Sequence, residues 1–166
     1  MRRILLTVLA LAMSAVPVLA QQTVFLVRHA ERADGGAGVQ MTKGTDPDLS
    51  EAGRARSESL AAVLKDAKIT AIIATEYKRT QQTAAPLANI LGVTVTTIKA
   101  NEPAELIKAV RAATGNVLIV GHSNTMPDVM RALGAPAPAA IADNDYDNLF
   151  VLTLGTSTTI LRLHYQ

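Results

Sequence analysis

The chain has 166 residues, enough for one domain around a single hydrophobic core and too few for a second domain of ordinary size. It contains no cysteine, which excludes disulfides, cysteine-linked lipid and thiolate metal sites and leaves the core to supply stability. Its net charge of +2 resides in Arg2 and Arg3; without them basic and acidic residues are equal in number, and no basic stripe with interleaved aromatics suggests nucleic acid as a partner.

The chain opens Met1-Arg2-Arg3, continues as an apolar stretch over 4–16 and reaches Pro17-Val18-Leu19-Ala20. This is the layout of a cleavable secretory signal, with cleavage expected after Ala20. The apolar run is shorter than the roughly 20 residues of a spanning helix, so no stable membrane insertion is expected after cleavage. The expectation is a signal over 1–20 and one domain over 21–166, periplasmic or secreted.

Residues 23–27, Thr-Val-Phe-Leu-Val, are β-branched and apolar and bounded by charge, which predicts a buried strand ending at Arg28-His29. Residues 34–48 are rich in Gly, Asp, Thr and Pro and read as an exposed loop. Ser50 is a candidate N-cap for a first helix over 54–67, with Leu60, Ala61 and Leu64 on one face. A second strand follows over 69–74, a second helix over 80–91 closed by Gly92, and a third strand over 93–98. Residues 102–113 form a third helix, 116–120 a fourth strand, and 126–133 a fourth helix closed by Gly134, with Ser123 its candidate cap. After an Ala/Pro linker over 135–140, strands over 149–154 and 158–163 flank Gly155-Thr156-Ser157 as a terminal hairpin. The class is α/β: a three-layer α/β/α sandwich, a mostly parallel central sheet with helices on both faces and a C-terminal antiparallel hairpin.

In such sheets active groups collect at the carboxyl ends of the strands. Arg28 and His29 lie just past the first strand, Thr75 to Arg79 past the second, and Gly121-His122-Ser123-Asn124 past the fourth. Each alone has an ordinary reading, a histidine bonded to backbone or an arginine covering a helix start. Together, two histidines and two arginines on one edge supply what a phosphoryl group needs: forked cationic donors and a nucleophilic imidazole. A metal site is disfavoured because the arginines repel a cation and pairing carboxylates are sparse, so no cofactor is expected. A serine-hydrolase elbow is disfavoured because Gly121-His122-Ser123-Asn124-Thr125 lacks the small residue two places after serine.

Val27-Arg28-His29-Ala30-Glu31, Leu49-Ser50-Glu51-Ala52-Gly53, Arg79-Thr80-Gln81-Gln82-Thr83-Ala84 and Val120-Gly121-His122-Ser123 occur in an order that resembles the histidine phosphatase superfamily, with its phosphoglycerate mutase-like fold. The likeness runs to Tyr146-Asp147-Asn148-Leu149-Phe150. It implies that His29 is the nucleophile that becomes phosphohistidine and that Arg28, Arg79 and His122 bind phosphate and stabilise its transfer. Ala30 stands where the family usually has glycine, as in its short branches. The large insertion that often carries a general-acid glutamate is missing, so Glu102, just past the third strand, is the expected acid. Glu105 is expected to pair with Lys108 on its helix, and Glu31 and Asp128 are outside candidates. The resemblance implies a phosphomonoesterase acting on a small-molecule phosphoester or a phosphoprotein, and the signal over 1–20 makes it an exported one. A phospho-ligand binding protein with a degenerate site and a phosphomutase are the alternatives, the latter disfavoured by the missing insertions.

Overall fold

The computed structural model describes residues 21–35, 46–136 and 141–166. The expected signal over 1–20, most of the 34–48 loop and residues 137–140 of the linker lie outside the described residues.

Six strands form one sheet: β1 (Gln22–Arg28), β2 (Ile69–Ala74), β3 (Val95–Thr97), β4 (Asn116–Gly121), β5 (Asn148–Leu154) and β6 (Thr159–His164). Their order is β3-β2-β4-β1-β5-β6. The first four run parallel, as strands joined through crossover helices must, whereas β5 is antiparallel to β1 and β6 to β5. The α/β class and the terminal hairpin read from the sequence are those of the structure.

The helices are α1 (Glu51–Leu64), α2 (Lys78–Leu91), α3 (Pro103–Ala112) and α4 (Met126–Ala132). The period-two alternation of the strands sorts the core into two layers. Val24, Leu26, Val117, Ile119, Phe150 and Leu152 pack with Val110 of α3 and Met126, Val129 and Met130 of α4. Val27, Leu118, Val120 and Leu149 point the other way, onto Leu60, Ala61 and Leu64 of α1 and Ala84, Leu87 and Ala88 of α2. Both faces of β1 and β4 are covered, which is why these strands read as unbroken apolar runs.

Local chemistry sets the helix ends. Ser50 caps α1, its hydroxyl accepting from the Gly53 amide at 3.0 Å. Gly92 closes α2 in the left-handed region at φ 65°. A Cβ at Gly53 would collide with the Glu31 carbonyl, so only glycine lets α1 start this close to the loop after β1. Three details depart from expectation. The second helix starts at Lys78, which places Arg79 in its first turn. The third strand shrinks to Val95–Thr97 because it is an edge strand paired on one side alone. Thr125, not Ser123, occupies the cap position of α4, and no side chain bonds there.

Candidate active site

The carboxyl ends of β1, β2 and β4 meet at a cavity of about 490 Å³ lined by Arg28, His29, Tyr77, Arg79, His122 and Asn124, among others. Backbone pairing fixes the first histidine: β1 and β4 lie in register at Arg28 and Gly121, and the His29 amide donates to the Gly121 carbonyl at 2.9 Å. Its Nδ1 lies 2.8 Å from the Ala30 carbonyl. A carbonyl only accepts, so Nδ1 carries the proton and Nε2 presents a lone pair.

His122 is held by a hydroxyl relay. The Thr80 hydroxyl donates to the Tyr77 carbonyl at 2.7 Å, so the Thr75 hydroxyl, 2.9 Å away, donates to Thr80 Oγ1. Thr75 Oγ1 then accepts from His122 Nε2 at 3.0 Å. The two imidazoles stand edge to face with centroids 5.4 Å apart.

Each arginine stacks on a tyrosine. The Arg28 guanidinium sits 4.2 Å from the Tyr146 ring centre and donates to the carbonyls of Ala142 and Asp143 at 3.0 and 2.9 Å. That of Arg79 sits 4.3 Å from the Tyr77 ring, and Tyr77 in turn packs edge-on against His122. Both arginines are buried, yet Arg28 Nε and Arg79 Nε and Nη1 have no hydrogen-bond partner among the described residues. The Asp46 carboxylate stands 3.7 Å from Arg79 Nη1, an ion pair without a hydrogen bond. Buried forked donors left open beside a lone pair form a seat for an oxyanion.

Burial is the main cause that pushes His29 down to about 3, with the backbone bond to Ala30 opposing and His122, Arg79 and Arg28 adding to the fall. Burial and then the two arginines push His122 down to about 4. Both imidazoles are therefore neutral across the physiological range. The unfolded chain binds protons on these groups from pH 6.5 downward while the native state does not, so their contribution to stability is complete above 6.5 and is lost as pH falls toward 4. The loss is up to about 1.4 kcal/mol per pH unit for each histidine. Urea unfolding at pH 7 and pH 5 is expected to show the lower midpoint at pH 5, with the difference reduced in a His29→Asn, His122→Asn double variant. Equal differences in the two proteins would contradict the assignment.

The rest of the Arg79 motif ties the pocket wall together. Thr83 accepts from the Ala30 amide at 2.9 Å while donating to the Arg79 carbonyl at 2.7 Å. Gln82 accepts from the Leu49 amide and donates to Asp48, both at 2.8 Å. Ala30 is fully buried here, which explains why only a small residue follows His29.

The structure brings Arg28, His29, Arg79 and His122 together; it does not bring Glu102 to them. Glu102 occupies the N-cap position of α3, pairs with Lys99 at 3.7 Å and lines a separate hollow with Thr97, Ile98, Glu105 and Lys108. Pro103 starts α3 directly after it and turns that side chain outward. Glu105 pairs with Lys108 at 3.2 Å, as expected. Glu31 is taken up by Arg56 at 2.7 Å and Asp128 by Arg131 at 2.5 Å, and neither lines the histidine pocket. The described carboxylate residues that do line it are Glu76 and Asp143. Glu76 Oε2 accepts from the Ala100 amide at 2.8 Å, which anchors one oxygen and leaves the other free of that bond. Tyr77, Tyr146 and Thr75 are the other site residues that motif reading did not single out.

No curated protein sequence matches this chain. Solved structures share its fold. The mycobacterial glucosyl-3-phosphoglycerate phosphatase in complex with VO3 superposes with a TM-score of 0.67 at 15% identity, covering 86% of this chain and 98% of that one. The protein histidine phosphatase SixA in complex with tungstate gives 0.63 at 17%, covering 86% and 96%. Mycobacterial hydrolase 1 gives 0.67 at 14%, covering 84% and 96%. Residues 24–101 match the family model for the histidine phosphatase superfamily, branch 1. With that match, the shared fold and two histidines and two arginines at one sheet edge, the chain is similar to the histidine phosphatase superfamily, branch 1, over residues 24–101.

Proposed function

We propose that this protein is a phosphatase that hydrolyses phosphomonoesters through a phosphohistidine on His29. The observation that carries the reading is the pairing of a neutral, tautomer-fixed His29 with buried guanidinium donors of Arg28 and Arg79 that have no hydrogen-bond partner among the described residues. Two structural neighbours were solved in complex with VO3 and with tungstate, which supports an oxyanion as the ligand of this fold.

In this mechanism the three non-bridging phosphoryl oxygens take the open donors of Arg28 and Arg79. His29 Nε2 then attacks phosphorus in line with the leaving oxygen. The P–N bond forms as the P–O bond to the alcohol breaks, and the departing oxygen takes a proton. Water next attacks the phosphohistidine, the P–N bond breaks and inorganic phosphate leaves. Because the charge that develops is spread over the phosphoryl oxygens, preorganised arginines lower the barrier by electrostatics and positioning. They supply the positive charge a metal would otherwise bring, so turnover is metal-independent. His122, held by Thr75, lines the phosphoryl seat as a neutral imidazole. The leaving proton comes from Glu76, whose anchored carboxylate lines the pocket, in place of Glu102. Export, which rests on the leader-like residues 1–20, makes extracytoplasmic phosphoesters the available pool.

Phosphate release from p-nitrophenyl phosphate is expected to resist chelator and to be inhibited competitively by tungstate. Tungstate binding with no release from any ester would favour the phospho-ligand binding alternative. Glu76→Gln is expected to slow release from an alkyl phosphate by about 10²-fold or more, while p-nitrophenolate, which departs without a proton, is slowed far less. Equal slowing of both esters would remove Glu76 from the acid role.

A further inference from the structure

Beside the histidine pocket lies a second cavity, of about 320 Å³, between α3, α4 and the sheet. Leu26, Ile73, Ile98, Leu106, Ile119 and Met126 supply its apolar wall. Residues at the carboxyl ends of β2 and β4 line it, in the crevice where open α/β sheets take ligands. It is roughly twice the ~150 Å³ of a cavity that holds benzene.

The cavity adjoins the site. Ala100, Asn101 and Thr125 line both spaces. Thr75 lines the apolar cavity and is bonded to His122, and Gly121 lines it while its carbonyl holds the His29 amide. The two charged residues on the wall are committed elsewhere, Lys99 to Glu102 and Asp128 to Arg131. Most of the wall is apolar, so a hydrocarbon ring or chain would gain more by burial there than a polyhydroxylated occupant.

Resting on the phosphatase reading above, we propose that this cavity receives the organic group of the substrate and that the preferred substrates are phosphomonoesters of apolar alcohols, cyclic or short-chain, rather than sugar phosphates. The phosphoryl group sits among the arginines while the apolar part of the alcohol enters between α3 and α4.

Cyclohexylmethyl phosphate and glucose 6-phosphate test this, since both are primary esters of a six-membered ring and differ mainly in hydroxylation. Acetyl phosphate, whose organic part is too small to fill the cavity, is the control for the phosphoryl site. The expected result is a kcat/KM for the cyclohexylmethyl ester at least about tenfold above that for glucose 6-phosphate. Leu106→Trp, which fills the cavity from α3 without touching the histidines or arginines, is expected to erase that preference while acetyl phosphate turnover stays unchanged. Equal or better use of glucose 6-phosphate, with acetyl phosphate hydrolysed, would overturn the subsite alone. A preference that survives Leu106→Trp would do the same. Absence of release from both esters and from acetyl phosphate would overturn the phosphatase reading and the subsite with it.

Discussion

His29→Gln is expected to lower phosphate release at least about 10³-fold while the folded protein still binds tungstate. His29 is buried at 4% exposure, and its ring makes one side-chain hydrogen bond, to the Ala30 carbonyl. Glutamine removes the ring nitrogen that attacks while keeping a polar amide of similar size in the buried position. The oxyanion seat is made by other residues, so binding persists while the lone pair that attacks phosphorus is gone. His29→Ala is expected to lose release equally, with a lower unfolding midpoint. Release that survived in either variant would mean that another group attacks, or that water attacks directly.

Arg79 gives the second large effect. Its Nε and Nη1 are buried without hydrogen-bond partners among the described residues, its plane is set by the Tyr77 ring, and burial, with Arg32 nearby, pulls its guanidinium below the ordinary arginine value. Removing one preorganised donor from a developing oxyanion costs on the order of 10²–10³ in rate, and Arg79 offers two. Arg79→Leu is therefore expected to lower kcat/KM at least about 10³-fold and to weaken tungstate inhibition in parallel. Arg79→Lys is expected to recover little, because an ammonium has neither the planar fork nor the flat face that stacks on Tyr77. A lysine variant within tenfold of the parent would show that charge alone, not the fork, is used. Loss of rate with tungstate inhibition intact would separate Arg79 from the oxyanion.

The strands and helices were legible because their patterns have direct physical causes. Unbroken apolar runs such as Val-Leu-Ile-Val at 117–120 follow from a parallel strand covered on both faces, and Ser50 and Gly92 mark their helix ends through the bonds and backbone geometry those residues permit. The four cationic and imidazole residues were legible because they sit immediately past strands, where position along the chain dictates position in space. The acid was not. Glu102 lies beside a strand end as Glu76 does, but Pro103 begins a helix directly after it and points it elsewhere, while Glu76 is anchored by an amide 24 positions away. Spacing carries no signal for such a bond. The tyrosines under the arginines escaped for the same reason, since Tyr146 reaches Arg28 only through the return of the chain toward β5. Ser123 failed as a cap because the chain makes a turn through residues 122–125 before α4 begins, with the Thr125 and Met126 amides both bonded to the His122 carbonyl.

The most direct test of the central claim is to trap the enzyme during turnover, quench in alkali, which preserves phosphohistidine, and locate the phosphoryl group by mass spectrometry. One acid-labile, alkali-stable phosphoryl group is expected on His29, formed and consumed at the rate of turnover and absent in His29→Gln. A phosphoryl group on any other residue, or turnover without a phosphoenzyme, would contradict that claim.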